Sequence, residues 1–152
     1  MAGIFVNLTE ETLHSEHLCC AISDKKHQCG VDLKRAWLTD RISEGHVFRK
    51  LNEKGKVFIE YAPLETAWVP IVGKNYIYIY CLWVSGSFKN KGHGRELLQY
   101  CIEDAKGKNK SGICIISSKK KKPFISDKKF FQKFGFEPVD EKCLAYSAEL
   151  KV

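Results

Sequence analysis

Hydrophobic and polar positions alternate in short blocks along the chain. Residues 3–8 (GIFVNL) read as a strand, after which Leu13, His17, Cys20 and Ala21 recur at helical spacing behind a cap at Asn7 or Thr9. A polar break from Ser23 to Gly30 separates this from a second expected helix, with Leu33, Ala36, Trp37 and Ile42 on one side. HVFRKLN, then Glu53-Lys54-Gly55, then KVFIEYA is a hairpin signal. Tyr76 to Val84 (YIYIYCLWV) is β-branched, aromatic and apolar on both faces, as a central strand should be. Helical spacing returns from Arg95 to Ala105 through Leu97, Leu98, Cys101, Ile102 and Ala105, and stops at Gly107. A buried strand at 112–118 (GICIISS) precedes a lysine run and a short helix over 126–134. Gly135-Phe136 opens a final hairpin whose second strand is Cys143 to Leu150.

The expected order is β-α-α-β-β-β-α-β-α-β-β. The strands at 76–84 and 112–118 flank a crossover helix and should run parallel, while their neighbours pair antiparallel. That is a mixed α/β (α+β) sheet, mainly antiparallel. No repeat and no Pro/Gly/Ser-rich linker divides the chain, so residues 1–152 are expected to form a single domain.

Composition narrows the function classes. Hydrophobic residues make up 44 % and charged residues 28 %, which excludes a disordered or fibrous chain. No apolar run approaches the roughly 18–20 residues that span a bilayer, and MAGIFVNLTEETLH carries no export signal. Seven cysteines, an odd number, fall partly inside expected helices and strands, which points to a reducing cytoplasm. The net charge of +7 favours an anionic partner.

The chemistry concentrates at Leu82–Leu98, where a buried strand meets a helix start through Lys89-Asn90-Lys91-Gly92-His93-Gly94-Arg95. The first amides of a helix have no intrahelical partner and sit at the positive end of its macrodipole. Glycine lets an anion approach that backbone, so the turn can cradle a phosphate, with Lys89, Lys91 and Arg95 adding charge. A dinucleotide fold would need a third glycine and a distal ribose-binding acid, and a P-loop would need G-K-[ST]; the sequence has neither.

This segment resembles motif A of the GCN5-related N-acetyltransferases, L-x-V-x-x-x-[aromatic]-[QR]-G-x-G-x-G followed by a leucine pair. Phe130-Phe131-Gln132-Lys133-Phe134-Gly135-Phe136 resembles their F-Y-x-K-x-G-F segment. More narrowly, residues 17–28, 56–71 and 117–131 look like the acetyltransferase half of YoaP-like proteins, which usually carry a further C-terminal domain absent from these 152 residues. Lys89, Asn90 and His93 depart from the pattern but keep a backbone donor at each position. The resemblance implies helices on both faces of the sheet and acetyl-CoA as cosubstrate. Its pyrophosphate would lie on the amides of Lys89, Asn90, Lys91, Gly92, His93, Gly94 and Arg95, and its pantetheine along Leu82, Trp83 and Val84. The acceptor would be an amine of a small molecule or peptide.

A lysine-like amine, with a pKa of about 10.4, must lose a proton before it attacks, so a base is expected. Tyr78 aligns with a catalytic glutamate of the histone-acetylating members, with Tyr76 and Tyr80 beside it. Glu60 and Glu65 are alternative bases. Phe131 replaces the tyrosine that often protonates the thiolate, leaving Ser117, Ser118, Ser126 or water as the acid. Alternate tyrosines that merely pack a sheet face, and a serine that merely caps a helix, are the competing explanations. A CoA-binding module that docks or regulates without turnover is the alternative function. Cys19, Cys20 and Cys29, with His14, His17 and His27, match no zinc spacing, so no metal is expected. Lys119 to Lys122 lacks the interleaved exposed aromatics of a nucleic-acid surface.

Overall fold

A computed structural model describes residues 3–16, 18, 28–118, 127–140 and 145–149. The described strands are β1 (Phe5–Asn7), β2 (Val47–Leu51), β3 (Val57–Pro63), β4 (Tyr76–Val84), β5 (Gly112–Ile116), β6 (Glu137–Asp140) and β7 (Ala145–Glu149). They form one sheet in the order β1-β2-β3-β4-β5-β7-β6. Only the β4–β5 pair is parallel, as the crossover connection requires. The helices are α1 (Gln28–Ile42), α2 (His93–Gly107) and α3 (Lys128–Gln132).

The two faces have separate cores. Val57, Ile59 and Tyr61 of β3, with Ile77 and Ile79 of β4, meet Leu97, Leu98 and Cys101 of α2. Phe48 and Phe58, on the other face, pack with Leu38 of α1 and with Leu8, Leu13 and Leu18. Helices therefore cover both faces, as expected.

Three local expectations are corrected. No helix forms over residues 9–16, which run as turns. The hydroxyls there compete for the backbone: Thr12 Oγ1 accepts from Thr9 N at 2.9 Å, and Ser15 donates to Thr12 O. Positions 17 and 19–27, with His17, Cys19, Cys20 and His27, lie outside the described residues.

The second correction concerns the face of α1. Its buried residues are Val31 and Leu38, while Leu33 is 68 % exposed and Ala36 and Trp37 also face outward. Apolar residues occur all round this helix, so spacing alone could not choose a face. Two charged side chains on its inner side settle the choice: Lys34 bonds Glu60, and Arg35 bonds the carbonyl of Leu13.

Third, α3 is shorter than 126–134, and its cap is Asp127, whose Oδ1 accepts from Lys129 N at 2.9 Å. Ser126, the lysines 119–122, Cys143 and Leu150 lie outside the described residues.

One irregularity shapes the centre of the sheet. Glu60 pairs with Cys81 but Tyr61 pairs with Ile79, so Tyr80 is an extra residue in β4. Tyr78, Tyr80 and Cys81 consequently lie on the α1 face, and Leu82 and Val84 return to the α2 face. Pairing of β4 with β5 runs from Tyr76↔Gly112 to Ile79↔Ile115 and ends there. From the bulge to Val84 the edge of β4 that faced β5 is split away from it.

Candidate active site

Beyond the split, β4 leads straight into the turn. Ser85 N bonds Lys56 O at 3.0 Å, tying the turn to the β2–β3 hairpin, and one 3-10 turn covers Gly86–Phe88. The chain then passes through two left-handed residues, Asn90 (φ 61°) and Gly92 (φ 86°), before α2 begins. Among the described residues no side chain caps α2, whose first intrahelical bond runs from Glu96 N to Gly92 O at 3.0 Å. The amides of His93, Gly94 and Arg95 thus keep their donor capacity at the positive end of the helix.

The two glycines have different tasks. A Cβ at Gly94 would stand 3.4 Å from the Phe130 ring, so its smallness lets the helix start pack against α3. A Cβ at Gly92 would meet nothing within 4 Å. Gly92 therefore opens the backbone to its outer side, as an anion cradle demands.

His93 turns inward. Its ring is buried against Phe5 (5.9 Å between centroids) and Phe88 (6.2 Å), and Nδ1 has no hydrogen-bond partner among the described residues. Only its backbone faces the turn. Lys89 and Lys91 are exposed, with Lys91 5.7 Å from the Phe88 ring. Arg95 lies 5.4 Å from the Phe134 ring.

The catalytic candidates do not converge on one point. Tyr78 is buried among Leu64, Ala67 and Cys114, its ring edge-on to Tyr80 at 4.9 Å. Burial pushes its phenol up to about 12. Tyr80 donates to Ala67 O at 2.8 Å. Glu65 accepts from Asn75 N at 2.6 Å, and that backbone bond holds its carboxyl below the ordinary range. Ser118 is half-buried, four residues along the chain from Cys114, the register partner of Tyr78. Glu65 and Ser118 thus sit toward opposite ends of Tyr78 along the sheet. Phe131 is fully buried against Phe130 and Phe136.

Sequence reasoning missed an ionic group on the α1 face. Glu60, only 2 % exposed, takes Lys34 Nζ at 2.6 Å and His46 Nε2 at 2.9 Å. Burial alone would raise its pKa, but the hydrogen bond from His46 and the charge of Lys34 outweigh this, leaving the carboxyl below its ordinary range. An ionised carboxylate can only accept, so His46 donates through Nε2. Its Nδ1 has no hydrogen-bond partner among the described residues. The ring lies 5.1 Å from both Trp37 and Tyr80.

The sheet thus splits beside its parallel pair, with an uncapped helix start at the open end. Residues 10–136 match the acetyltransferase (GNAT) family, and the chain belongs to that family. The uncharacterized N-acetyltransferase YoaP of Bacillus subtilis (strain 168) is 48 % identical over 137 residues, covering 90 % of this chain and 55 % of the relative. The chain thus spans about half the length of that relative. Among solved structures it is similar in fold to the PaiA N-acetyltransferase of Thermoplasma acidophilum in complex with coenzyme A. That match has a TM-score of 0.66 at 16 % identity, covering 99 % of this chain and all of the other. YhbS of Escherichia coli, in complex with CoA, gives 0.62 at 11 % identity over 98 % and 82 % of the two chains. No described helix is long and apolar enough to cross a membrane. The described residues contain no group of three or more His, Cys, Asp or Glu that could hold a metal.

Proposed function

We propose that residues 1–152 act as one cytoplasmic domain that moves the acetyl group of acetyl-CoA to a primary amine of a small molecule or peptide. The observation that carries this reading is the uncapped start of α2 with open space at Gly92, placed at the wide end of the β4–β5 split. Amides from Lys89 to Arg95 would hold the pyrophosphate, and Leu82, Trp83 and Val84 would line the pantetheine. The cosubstrate supplies an activated acetyl thioester, which the amine attacks directly.

The remaining groups divide by protonation. Tyr78, with its phenol pushed up to about 12, stays protonated near neutrality, so we give it the role of proton donor rather than base. Glu65 and Glu60 are weak bases, because each is engaged and held ionised. His46, oriented by Glu60, is the base we favour on this face.

The burial of Phe131 favours a second reading, a CoA-binding module without turnover, because the usual acid is missing there. One experiment separates the two. Acetyl-CoA binding is measured by titration calorimetry, then thiol release is followed across an amine panel with the wild type and Tyr78→Phe. Saturable release supports transfer, and a roughly 100-fold lower kcat in Tyr78→Phe supports the donor role. Binding without release from any amine favours the docking module. No binding by the folded chain sinks both.

The exposed lysines should matter little. Lys89→Ala and Lys91→Ala are each expected to weaken acetyl-CoA binding by about fivefold, since solvent screens their charge and the backbone donors remain. Calorimetry at two salt concentrations checks this: both losses should shrink as salt rises.

A further inference from the structure

The β2–β3 hairpin holds a glycine that no turn requires. Gly55 has no positive φ, so its backbone would accept an alanine. Space is what fails. A Cβ at Gly55 would strike the ring of Phe88, with Cζ at 2.8 Å and Cδ2 at 3.3 Å, whereas carbon atoms rest about 3.5–4.0 Å apart. The two residues fit together only because one of them has no side chain. The backbone joins the same two segments, since Ser85 N donates to Lys56 O at 3.0 Å.

Phe88 connects this contact to the cradle. It ends the 3-10 turn Gly86–Phe88, directly before Lys89, and its half-buried ring lies 6.2 Å from that of His93, with Lys91 Nζ at 5.7 Å. His93 is the first residue of α2 and supplies one of the open amides. Its ring also meets Phe5, and a Cβ at Gly3 would stand 3.3 Å from its Cε1, so it has little room to shift. A Phe88 ring displaced by a side chain at residue 55 would either press on His93 or leave it for solvent. Both responses disturb the start of α2. Hydrogen bonds weaken steeply as a donor tilts away from its acceptor. A pyrophosphate takes several amides at once, so a small displacement is felt at each of them.

We propose that Gly55 and Phe88 are a positioning pair for the phosphate turn: the hairpin seats the ring, and the ring with His93 fixes the amides of His93, Gly94 and Arg95 where the pyrophosphate needs them. Gly55 acts through Phe88 and not by contact with the cosubstrate. The proposal rests on the acetyltransferase reading and adds a residue outside the turn that sets the turn's affinity.

The test is titration calorimetry of the full chain with CoA. It compares the wild type, Gly55→Ala, Phe88→Leu and the double variant, each shown by circular dichroism to be folded at the temperature used. Gly55→Ala is expected to bind CoA about tenfold more weakly, and Phe88→Leu about threefold, because leucine fills less of the space beside His93. The double variant should bind as Phe88→Leu does, since the shorter side chain leaves room for the new Cβ. The rescue must appear in affinity, because a glycine that only shapes the hairpin would change Tm alone. Wild-type affinity in folded Gly55→Ala, or a double variant no tighter than Gly55→Ala, would overturn the proposal. If Gly55→Ala does not fold, Phe88→Leu decides, and wild-type affinity in that variant overturns the proposal. Failure of the wild type to take up CoA is seen before any variant is measured, and it would remove the acetyltransferase reading itself.

Discussion

Gly92→Glu should abolish measurable acetyl-CoA binding while leaving the chain folded. Gly92 has φ 86°, so a side chain there costs about 1–2 kcal/mol in backbone conformation. A Cβ meets no atom within 4 Å, so no packing penalty is added. A carboxylate beside the uncapped start of α2 even interacts favourably with the macrodipole, recovering part of that cost. The same carboxylate occupies the anion's place and repels it. We therefore expect a fall of a few degrees in Tm and loss of binding by at least about 100-fold. Gly92→Ala is the control, with the same backbone strain and no charge; it should show a slightly larger fall in Tm and a much smaller loss of affinity. If folded Gly92→Glu binds acetyl-CoA as tightly as the wild type, the turn is only a connector.

Glu60→Ala should strongly destabilise the α1 face. It leaves His46 facing an empty site and Lys34 without its buried partner, and removing one member of a buried pair costs about 3–5 kcal/mol. Lys34 is 25 % exposed and can turn toward water, which favours the lower end of that range. Thermal unfolding should fall by on the order of 10 °C. The effect depends on pH with a definite sign. The folded carboxyl lies below its ordinary value of 4.5, so its stabilising contribution is complete above that pH and is lost as pH falls through the folded value. The gap between wild type and Glu60→Gln should therefore be constant near neutrality and close in acid. A gap that widened in acid would show that Glu60 is not held as the carboxylate.

The parts of the fold that were legible in the sequence were those where one period dominates. Continuous apolar character located β4 within Tyr76–Val84, and the leucine pair with Cys101 and Ala105 located α2. The phosphate turn was legible because glycine spacing, strand and helix start adjoin in sequence. The bulge was not. YIYIYCLWV is apolar on both faces, so an extra residue breaks no alternation that could be seen. The Glu60 group was equally hidden, because its partners lie 26 and 14 residues away and none stands in a recognisable spacing. Residues 9–15 misled for a local reason: helical spacing of apolar residues was present, and the hydroxyls of Thr9, Thr12 and Ser15 overrode it.

The bulge at Tyr80 makes the split a matter of residue count. A substitution at this position changes one side chain and keeps the extra residue. Removing the residue would place Ile79 directly before Cys81, opposite Tyr61 and Glu60, so the positions from Cys81 to Val84 would keep their faces while the bulge itself disappeared. Leu82 and Val84 would stay with the α2 core, and Cys81 and Trp83 with the other face. What would be lost is the irregularity at which the pairing with β5 ends. Length in this stretch, more than identity, is what selection would have to hold constant.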